Sequence, residues 1–218
     1  MNNINSAQYV YNRLMEDIFC GEMKPGQHLP SIPISQKYGV SRTPVLEALR
    51  RMESDGIVVS YPGKGTCLIN PSKGEVREFF VVRSILEKEA LKMAFENSSV
   101  IFTSLLKESI ISEKNMYSNS PTNAEFIHNS LAFHYVIAEA SGNSLLHKYI
   151  HNVLHNIYVF EILLYDFPAA FNKAAGWADH QRLLDLIETK DIDRACTELQ
   201  NHILTAFEIM LDCYRFKD

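Results

Sequence analysis

Residues 39–56 constrain this chain more than any other stretch: Gly39-Val40-Ser41-Arg42-Thr43-Pro44-Val45 runs on through Leu46-Glu47-Ala48-Leu49-Arg50-Arg51-Met52-Glu53-Ser54-Asp55-Gly56. Gly39 permits a tight turn. Ser41 is a candidate N-cap whose hydroxyl can accept from an unpaired first-turn amide, and Pro44 falls where a missing N–H leaves no bond unmade. Val45, Ala48, Leu49 and Met52 recur at helical spacing as one apolar face, and Gly56 ends the run. Arg42, Thr43, Glu47, Arg50 and Arg51 are left to the other faces. A helix that leads with a cation and a hydroxyl at the positive end of its dipole suits insertion into a DNA major groove, its first residues on base edges. An ordinary capped surface helix shares these local features, so the flanking segments decide between the two.

Upstream, Gln8 to Phe19 carries Tyr11, Leu14, Met15 and Ile18 at helical steps and stops at Gly21-Glu22-Met23-Lys24-Pro25-Gly26, a Pro-Gly turn. After Leu29-Pro30, a short second helix is predicted from Ser31 or Pro33 to Tyr38, with Ile34 and Tyr38 facing inward. Downstream, Ile57 to Tyr61 and Thr66 to Ile69 are β-prone runs separated by Pro62-Gly63-Lys64-Gly65, which predicts a hairpin with Lys64 at its tip. Helix, helix, recognition helix and hairpin wing make a winged helix-turn-helix over residues 1–70. That stretch holds seven Lys/Arg against six Asp/Glu, so the net charge of −5 for the whole chain resides in the remainder. A head so weakly basic predicts modest nonspecific affinity and reliance on a dimer that places two recognition helices at once.

These residues resemble the amino-terminal signature of the GntR family of bacterial transcription regulators, matched by Pro25-Gly26, Leu29-Pro30, Gly39 to Val45, Glu47-Ala48-Leu49, Gly56 and Gly63-Lys64-Gly65. The resemblance implies that Ser41, Arg42 and Thr43 hold DNA at the start of the third helix and that Gly65 of the wing enters the minor groove. Two positions depart from the family: Ile32 and Leu46 stand where arginines are common. Arg50, Arg51 and Lys64 are the cations left for phosphate contacts.

With 218 residues, 46% of them hydrophobic, the chain is large enough for two modest cores. Cys20, Cys67, Cys196 and Cys213 lack CxxC spacing and read as reduced thiols, most of them buried. No signal-peptide pattern opens the chain, and even Ile157 to Leu164 is too short and too interrupted, by Glu161, to span a bilayer, so a cytoplasmic protein is expected. Asn70-Pro71-Ser72-Lys73-Gly74 is a breaker-rich junction, which predicts a linker at 71–76 and an all-α domain at 77–218. Helical periodicity there predicts helices over Glu75–Phe95, Val100–Met116, Ala124–Ala140, Ser144 to about Tyr165, roughly Pro168–Lys190 with an internal start near Trp177, and Asp191–Phe216, with a loop at 118–123. The expected fold is therefore mainly α: a winged helix-turn-helix followed by an antiparallel bundle of six or seven helices.

Three histidines, His134, His180 and His202, lie on different predicted helices beside apolar residues. Imidazole is the commonest side-chain ligand for zinc and similar ions, and bundles build metal sites from facing helices; a hydrogen-bonded core histidine is the plainer alternative for each. The carboxy-terminal part also resembles the FCD effector domain of the FadR branch of GntR regulators, through Arg83 and Glu87, Phe133-His134, Ala140-Ser141-Gly142-Asn143, His180 and His202. That resemblance implies a divalent metal on the three histidines, completed by a small carboxylate effector, with an aspartate one turn before the first histidine. Here that position is Ser130. Three neutral imidazoles without an anionic ligand favour zinc or nickel over manganese or magnesium; the other branch is a metal-free pocket that uses the histidines as donors.

The segment 147–171 lines the effector cavity in similar domains, and Ser130 and Tyr158 are the expected pocket residues. Lys148 is the only Lys or Arg before Phe171 in that segment, which argues for a small or apolar effector over a multiply charged sugar acid. His147, His151 and His155 recur at four-residue steps, and solvent-facing histidines account for them equally well. Together these features predict a ligand-responsive regulator, with repression the expected sign, that binds a palindromic operator in double-stranded DNA as a homodimer. Two alternatives remain: a metal-dependent enzyme on the three-histidine site, with Glu139 or Asp179 as acid or base, and a constitutive DNA-binding protein whose pocket has decayed.

Overall fold

In a computed structural model, residues 3–97, 100–117, 123–164 and 176–213 are described, and they form two compact units, Met1–Ser72 and Lys73–Asp218. The first unit runs α1 (Asn3–Phe19), α2 (Ser31–Tyr38), α3 (Arg42–Ser54), β1 (Val58–Tyr61) and β2 (Gly65–Leu68). Its core joins Val10, Leu14 and Ile18 of α1 to Val45, Ala48, Leu49 and Met52 of α3, the apolar face that the spacing predicts. Three hydrogen bonds to carboxylates lock the helices and the hairpin in place. The buried Asp17 carboxylate accepts from the Tyr38 hydroxyl at 2.6 Å and from Lys37 Nζ at 2.5 Å, tying α1 to α2. Glu53 Oε1 accepts from the Ser60 amide at 2.9 Å, tying α3 to the hairpin.

The hairpin pairs β1 with β2 antiparallel, Val58 opposite Leu68 and Tyr61 opposite Gly65. The segment before α2 docks on the free edge of β2, with the Leu29 amide donating to Thr66 O at 2.8 Å and the Leu68 amide to Gln27 O at 2.9 Å. This edge pairing protects a short wing that would otherwise be marginal by itself. Ser41 occupies the N-cap of α3 in extended backbone, but its hydroxyl makes no capping bond, so the side chain is left outward. The helix closes at Asp55, and Gly56, at φ 71°, takes the left-handed turn into β1.

The second unit comprises α4 (Lys73–Glu96), α5 (Val100–Met116), α6 (Asn123–Ala140), α7 (Ser144–Leu164), α8 (Gly176–Glu188) and α9 (Ile192–Asp212). Central α4 packs against α9, α7 and α6, while α5 and α8 close the other side of α6 and α9. Fully buried Phe80, Leu91, Leu106, Ile127, Phe133, Ile137, Ile150 and Leu154 fill the core. Asn143 caps α7, its Oδ1 accepting from the Leu145 and Leu146 amides at 3.1 and 3.0 Å, and Asp191 caps α9 through the Arg194 amide.

Lys73 already belongs to α4, so most of the predicted linker at 71–76 is the first turn of a helix; Gly74 costs that turn some propensity without stopping it. The predicted loop at 118–123 lies outside the described residues up to Asn123, which opens α6, and so does the predicted helix start at Pro168. Of the cysteines, Cys196 and Cys213 are buried, Cys67 is half-buried and Cys20 is exposed. Among the described residues, no helix is long and apolar enough to cross a membrane.

Candidate metal centre and nucleic-acid interface

The three histidines converge. His134 comes from α6, His180 from α8 and His202 from α9, and His180 Nε2 lies 3.2 Å from His134 Nε2 and 3.1 Å from His202 Nε2. Each ring is held from behind by a carboxylate at Nδ1: Glu87 of α4 on His134 at 2.6 Å, Glu113 of α5 on His180 at 2.7 Å, and Asp179 on His202 at 3.2 Å. Phe133 stacks flat on His180, with ring centroids 4.3 Å apart, and fixes its plane. Arg83 anchors the outer layer through Nε on Glu87 Oε1 at 2.7 Å, and Arg182 is bonded to Asp179.

Burial, reinforced by the positive charge of Arg83, holds His134 well below the ordinary imidazole range and His180 down to about 3. Burial likewise lowers His202, against the pull of Asp179. Burial pushes Glu87 up despite Arg83, and lifts Glu113 to about 8. All three imidazoles are therefore neutral. Wherever Nδ1–H is donated to the acid behind it, as at His180 once Glu113 ionises, the ring turns a bare Nε2 lone pair toward its neighbours. His180 Nε2 stands 3.2 and 3.1 Å from the other two Nε2 atoms, where facing lone pairs repel. A cation at the common focus relieves all of them.

The donor set thus fits a divalent metal. Nε2 spacings of 3.1 and 3.2 Å are near the ~3.3 Å expected between nitrogens at ~2.0–2.1 Å from a tetrahedral ion. The carboxylates on Nδ1 are the supporting layer that raises ligand basicity and orients metal-binding imidazoles. Among the described residues, His134, His180 and His202 are the one group of His, Cys, Asp or Glu side chains with metal-ligand spacing. The histidines at 147, 151 and 155 do not make such a group; the rings of His147 and His151 instead rest on each other at 4.2 Å.

The imidazoles open on a cavity of about 410 Å³ whose walls include Arg83, Ser130, Leu131, Glu161, Asp179 and Ala206. Ser130 lines it, with its hydroxyl turned back on Ile127 O at 2.9 Å. Tyr158 does not line it, contrary to expectation: a step of three along α7 places Glu161 there instead. The segment's poverty in Lys and Arg also proves a poor guide to charge, because the cations on these walls, Arg83 and Arg182, come from α4 and α8. Glu113 and Glu161 are the residues sequence reasoning left without a role. Their signal was present: Glu113 continues the stripe Leu106, Ser109, Ile110 on a buried face, and Glu161 interrupts an apolar run.

In the first unit, Ser41, Arg42 and Thr43 are exposed at the start of α3, and Arg42 Nε donates to Ser31 Oγ, the first residue of α2, at 2.9 Å. Two helix starts and a guanidinium thereby share one face. Arg50 is exposed, and Lys64 stands exposed at the wing tip. Arg51 has partners within the head: its Nη1 bonds Gln8 Oε1 at 2.5 Å and its guanidinium lies 4.4 Å from the centre of the Tyr11 ring, so it fastens α1 to α3, and a phosphate would compete with these partners for it. Gly65 has a structural reason as well: φ is +84°, and a Cβ would lie 2.4 Å from His28 Nε2.

Residues 78–205 match the FCD domain, and residues 6–68 match the bacterial regulatory proteins of the gntR family. The HTH-type transcriptional regulator YdhC of Bacillus subtilis is 25% identical over 207 residues, covering 95% of this chain and 89% of its own. The HTH-type transcriptional repressor NanR of Cronobacter sakazakii is 25% identical over 222 residues, covering 92% and 84%. A GntR transcriptional regulator from Rhodococcus sp. RHA1 shares the fold, with a TM-score of 0.71 at 18% identity over 96% of this chain and 99% of that one. These families and relatives are transcriptional regulators and not enzymes, and neither alternative, catalysis or a decayed pocket, finds support.

Proposed function

We propose, for a chain that belongs to the FCD-domain regulators of the gntR family, that a divalent metal and a small carboxylate effector in the helical bundle control binding of an operator by the winged head. The protein is a ligand-responsive, DNA-binding transcription regulator. The observation that carries the effector reading is the meeting of three imidazole Nε2 atoms, each ring braced at Nδ1 by a carboxyl group, on the wall of a cavity. His134, His180 and His202 would hold the metal, zinc or nickel being favoured by an all-nitrogen donor set. When bound, the ion supplies a Lewis-acidic point to which an effector carboxylate can attach.

The chain's own groups do the rest. Arg83 adds a buried positive charge for an anionic ligand, Phe133 and Leu131 exclude water beside the imidazoles, and Glu87, Glu113 and Asp179 hold the rings in one tautomer. On DNA, Arg42 and Thr43 read base edges, Arg50 and Lys64 meet phosphates, Ser41 assists the helix start, and Gly65 lets the wing approach the backbone closely. A homodimer doubles these contacts on a palindrome. The exposed apolar ridge of Val81, Val82 and Ile85 on α4 is the face assigned to the second copy. The sign of control is repression, as in the name of the similar transcriptional repressor NanR. To act, the effector must bind the DNA-competent and incompetent states with different affinity; tenfold corresponds to about 1.4 kcal/mol.

The test uses purified full-length protein, elemental analysis, and gel shifts on duplexes covering the region upstream of its own gene. Co-purified zinc or nickel near one per chain, lost in His180→Ala, is expected, together with retarded DNA in wild type and none in Arg42→Ala at unchanged melting temperature. Metal content equal in wild type and His180→Ala would overturn the bundle reading, and equal DNA affinity in Arg42→Ala would overturn the docking.

A further inference from the structure

The cavity wall carries a buried guanidinium and a carboxyl group that do not bond each other, those of Arg83 and Glu161. Arg83 is 3% exposed, and among the described residues its hydrogen bond is from Nε to Glu87, which leaves the Nη edge without one. Glu161, on α7 across from α4, is half-buried because it faces the cavity, and its carboxylate has no hydrogen bond or ion pair among the described residues. Burial pushes it up to about 7, with Arg83 pulling the other way through space only. Nor is Glu161 a fourth member of the imidazole group: its carboxylate is not among the atoms gathered there within 4.8 Å.

An unpartnered acid turned into a cavity is expensive to keep and accepts only a donor. A ligand that carried a carboxylate alone would satisfy the guanidinium and imidazole side and leave Glu161 facing a nonpolar or repulsive group. We propose that the cavity takes an amino-carboxylate, the ligand's acid end lying on the Arg83 and imidazole side and its protonated amine lying against Glu161. Resting on the effector reading above, this narrows the effector from carboxylates in general to dipolar ones, and it makes Glu161 the residue that selects amine over hydroxyl. The other acids on the wall are already engaged, Glu113 by His180 and Asp179 by His202 and Arg182, and Ser130 adds none, so Glu161 is the acid left for the amine.

The experiment titrates full-length protein, loaded with zinc, against matched pairs: L-α-amino acids and short ω-amino acids, each beside the hydroxy acid of the same skeleton. Melting temperature and calorimetry are the readouts. At least one amino-carboxylate is expected to bind at least tenfold more tightly than its hydroxy partner, and Glu161→Gln to reduce that preference to under threefold without changing zinc content. In addition, Glu161→Met, apolar and of similar length, is expected to raise the melting temperature of ligand-free protein, because a buried acid without a partner has been removed. Hydroxy acids binding as well as their amine partners, or Glu161→Gln keeping the preference, overturns the proposal but leaves the effector reading standing. No binding in either series overturns it too, and with no zinc uptake the effector reading falls with it. A lower melting temperature in Glu161→Met would show that Glu161 holds the fold, and would likewise overturn the proposal.

Discussion

Glu87 and His134 meet between α4 and α6, Oε2 to Nδ1 at 2.6 Å, with 0% and 1% of their side chains exposed. The same carboxylate holds Arg83 Nε at 2.7 Å with its other oxygen, so one group links the guanidinium to the imidazole cluster. Its contribution is orientation and charge: as a carboxylate, Glu87 accepts from Nδ1–H of His134, which selects that tautomer, and it offsets the positive charge of Arg83, against the pull of burial.

Glu87→Gln keeps the size and removes the charge. Zinc affinity is expected to fall by roughly 10–100-fold, the usual cost of losing a carboxylate behind a ligating imidazole. The ligand-free protein should also lose about 3–5 kcal/mol, because Arg83 is left buried without its partner. Competition with a chelating dye measures the first, and denaturant melts measure the second. Unchanged zinc affinity would show that the contact does not support metal binding.

The winged head was largely legible because its signals are local. Gly39, Pro44 and Gly56 punctuate α3, Val45 to Met52 repeat at helical period, and Pro62-Gly63 forces the hairpin. The bundle's site was legible only in outline. His134, His180 and His202 are 46 and 22 residues apart, so nothing in their spacing shows that they meet; resemblance supplied that. The roles of Glu113 and Glu161 depend on which helices face them, information that no single helical pattern contains. The partners of Arg51 were hidden for the same reason, since Gln8 and Tyr11 lie on α1, outside the pattern of α3.

Arg50 and Arg51 are adjacent, yet their variants should behave oppositely. Arg50→Ala is expected to weaken DNA binding and to reduce the salt-dependence slope by about 1, the mark of one lost phosphate contact, without changing the melting temperature. Arg51→Ala removes the bond to Gln8 and the stacking on Tyr11, and is expected to destabilise the head by about 0.5–1.5 kcal/mol while leaving the slope as it was. Fluorescence anisotropy at several salt concentrations and thermal melts separate the two. A reduced slope in Arg51→Ala would return that residue to the DNA face.

Asp17 predicts how the head responds to acid. Burial alone would raise its carboxyl, but the hydrogen bonds from Lys37 and Tyr38 outweigh that and set it below the ordinary carboxylate range. A lowered folded value means that the unfolded chain binds the proton first as pH falls. The stabilisation is therefore fully present above the unfolded value of about 3.9 and is lost as pH drops through the folded one. Asp17→Asn is expected to lower stability at pH 7 by about 1.5–3 kcal/mol, as for hydrogen bonds to a charged group. It should also flatten the acid limb of a melting-temperature profile between pH 5 and roughly pH 2. An acid limb as steep as that of wild type would place the responsible carboxylate elsewhere.

Gly65 separates the structural from the DNA-contacting role of the wing. Its φ of +84° disfavours any side chain, and an added Cβ would meet His28 Nε2 at 2.4 Å and Cδ2 at 3.3 Å. The backbone term alone is worth about 1–2 kcal/mol. The ring term is relieved if His28 can swing aside. Gly65→Ala is therefore expected to lower the stability of the head, and Gly65→Ala with His28→Ala to recover the steric part but not the backbone part. DNA affinity distinguishes the roles: if Gly65 acts only by shaping the hairpin, the double variant regains DNA binding in step with its stability. If the backbone at Gly65 itself lies against the minor groove, affinity stays low after stability returns, because the added methyl still stands between strand and sugar. Parallel melts and anisotropy titrations on the single and double variants read both quantities, and a Gly65→Ala protein as stable as wild type would contradict the geometry of the wing.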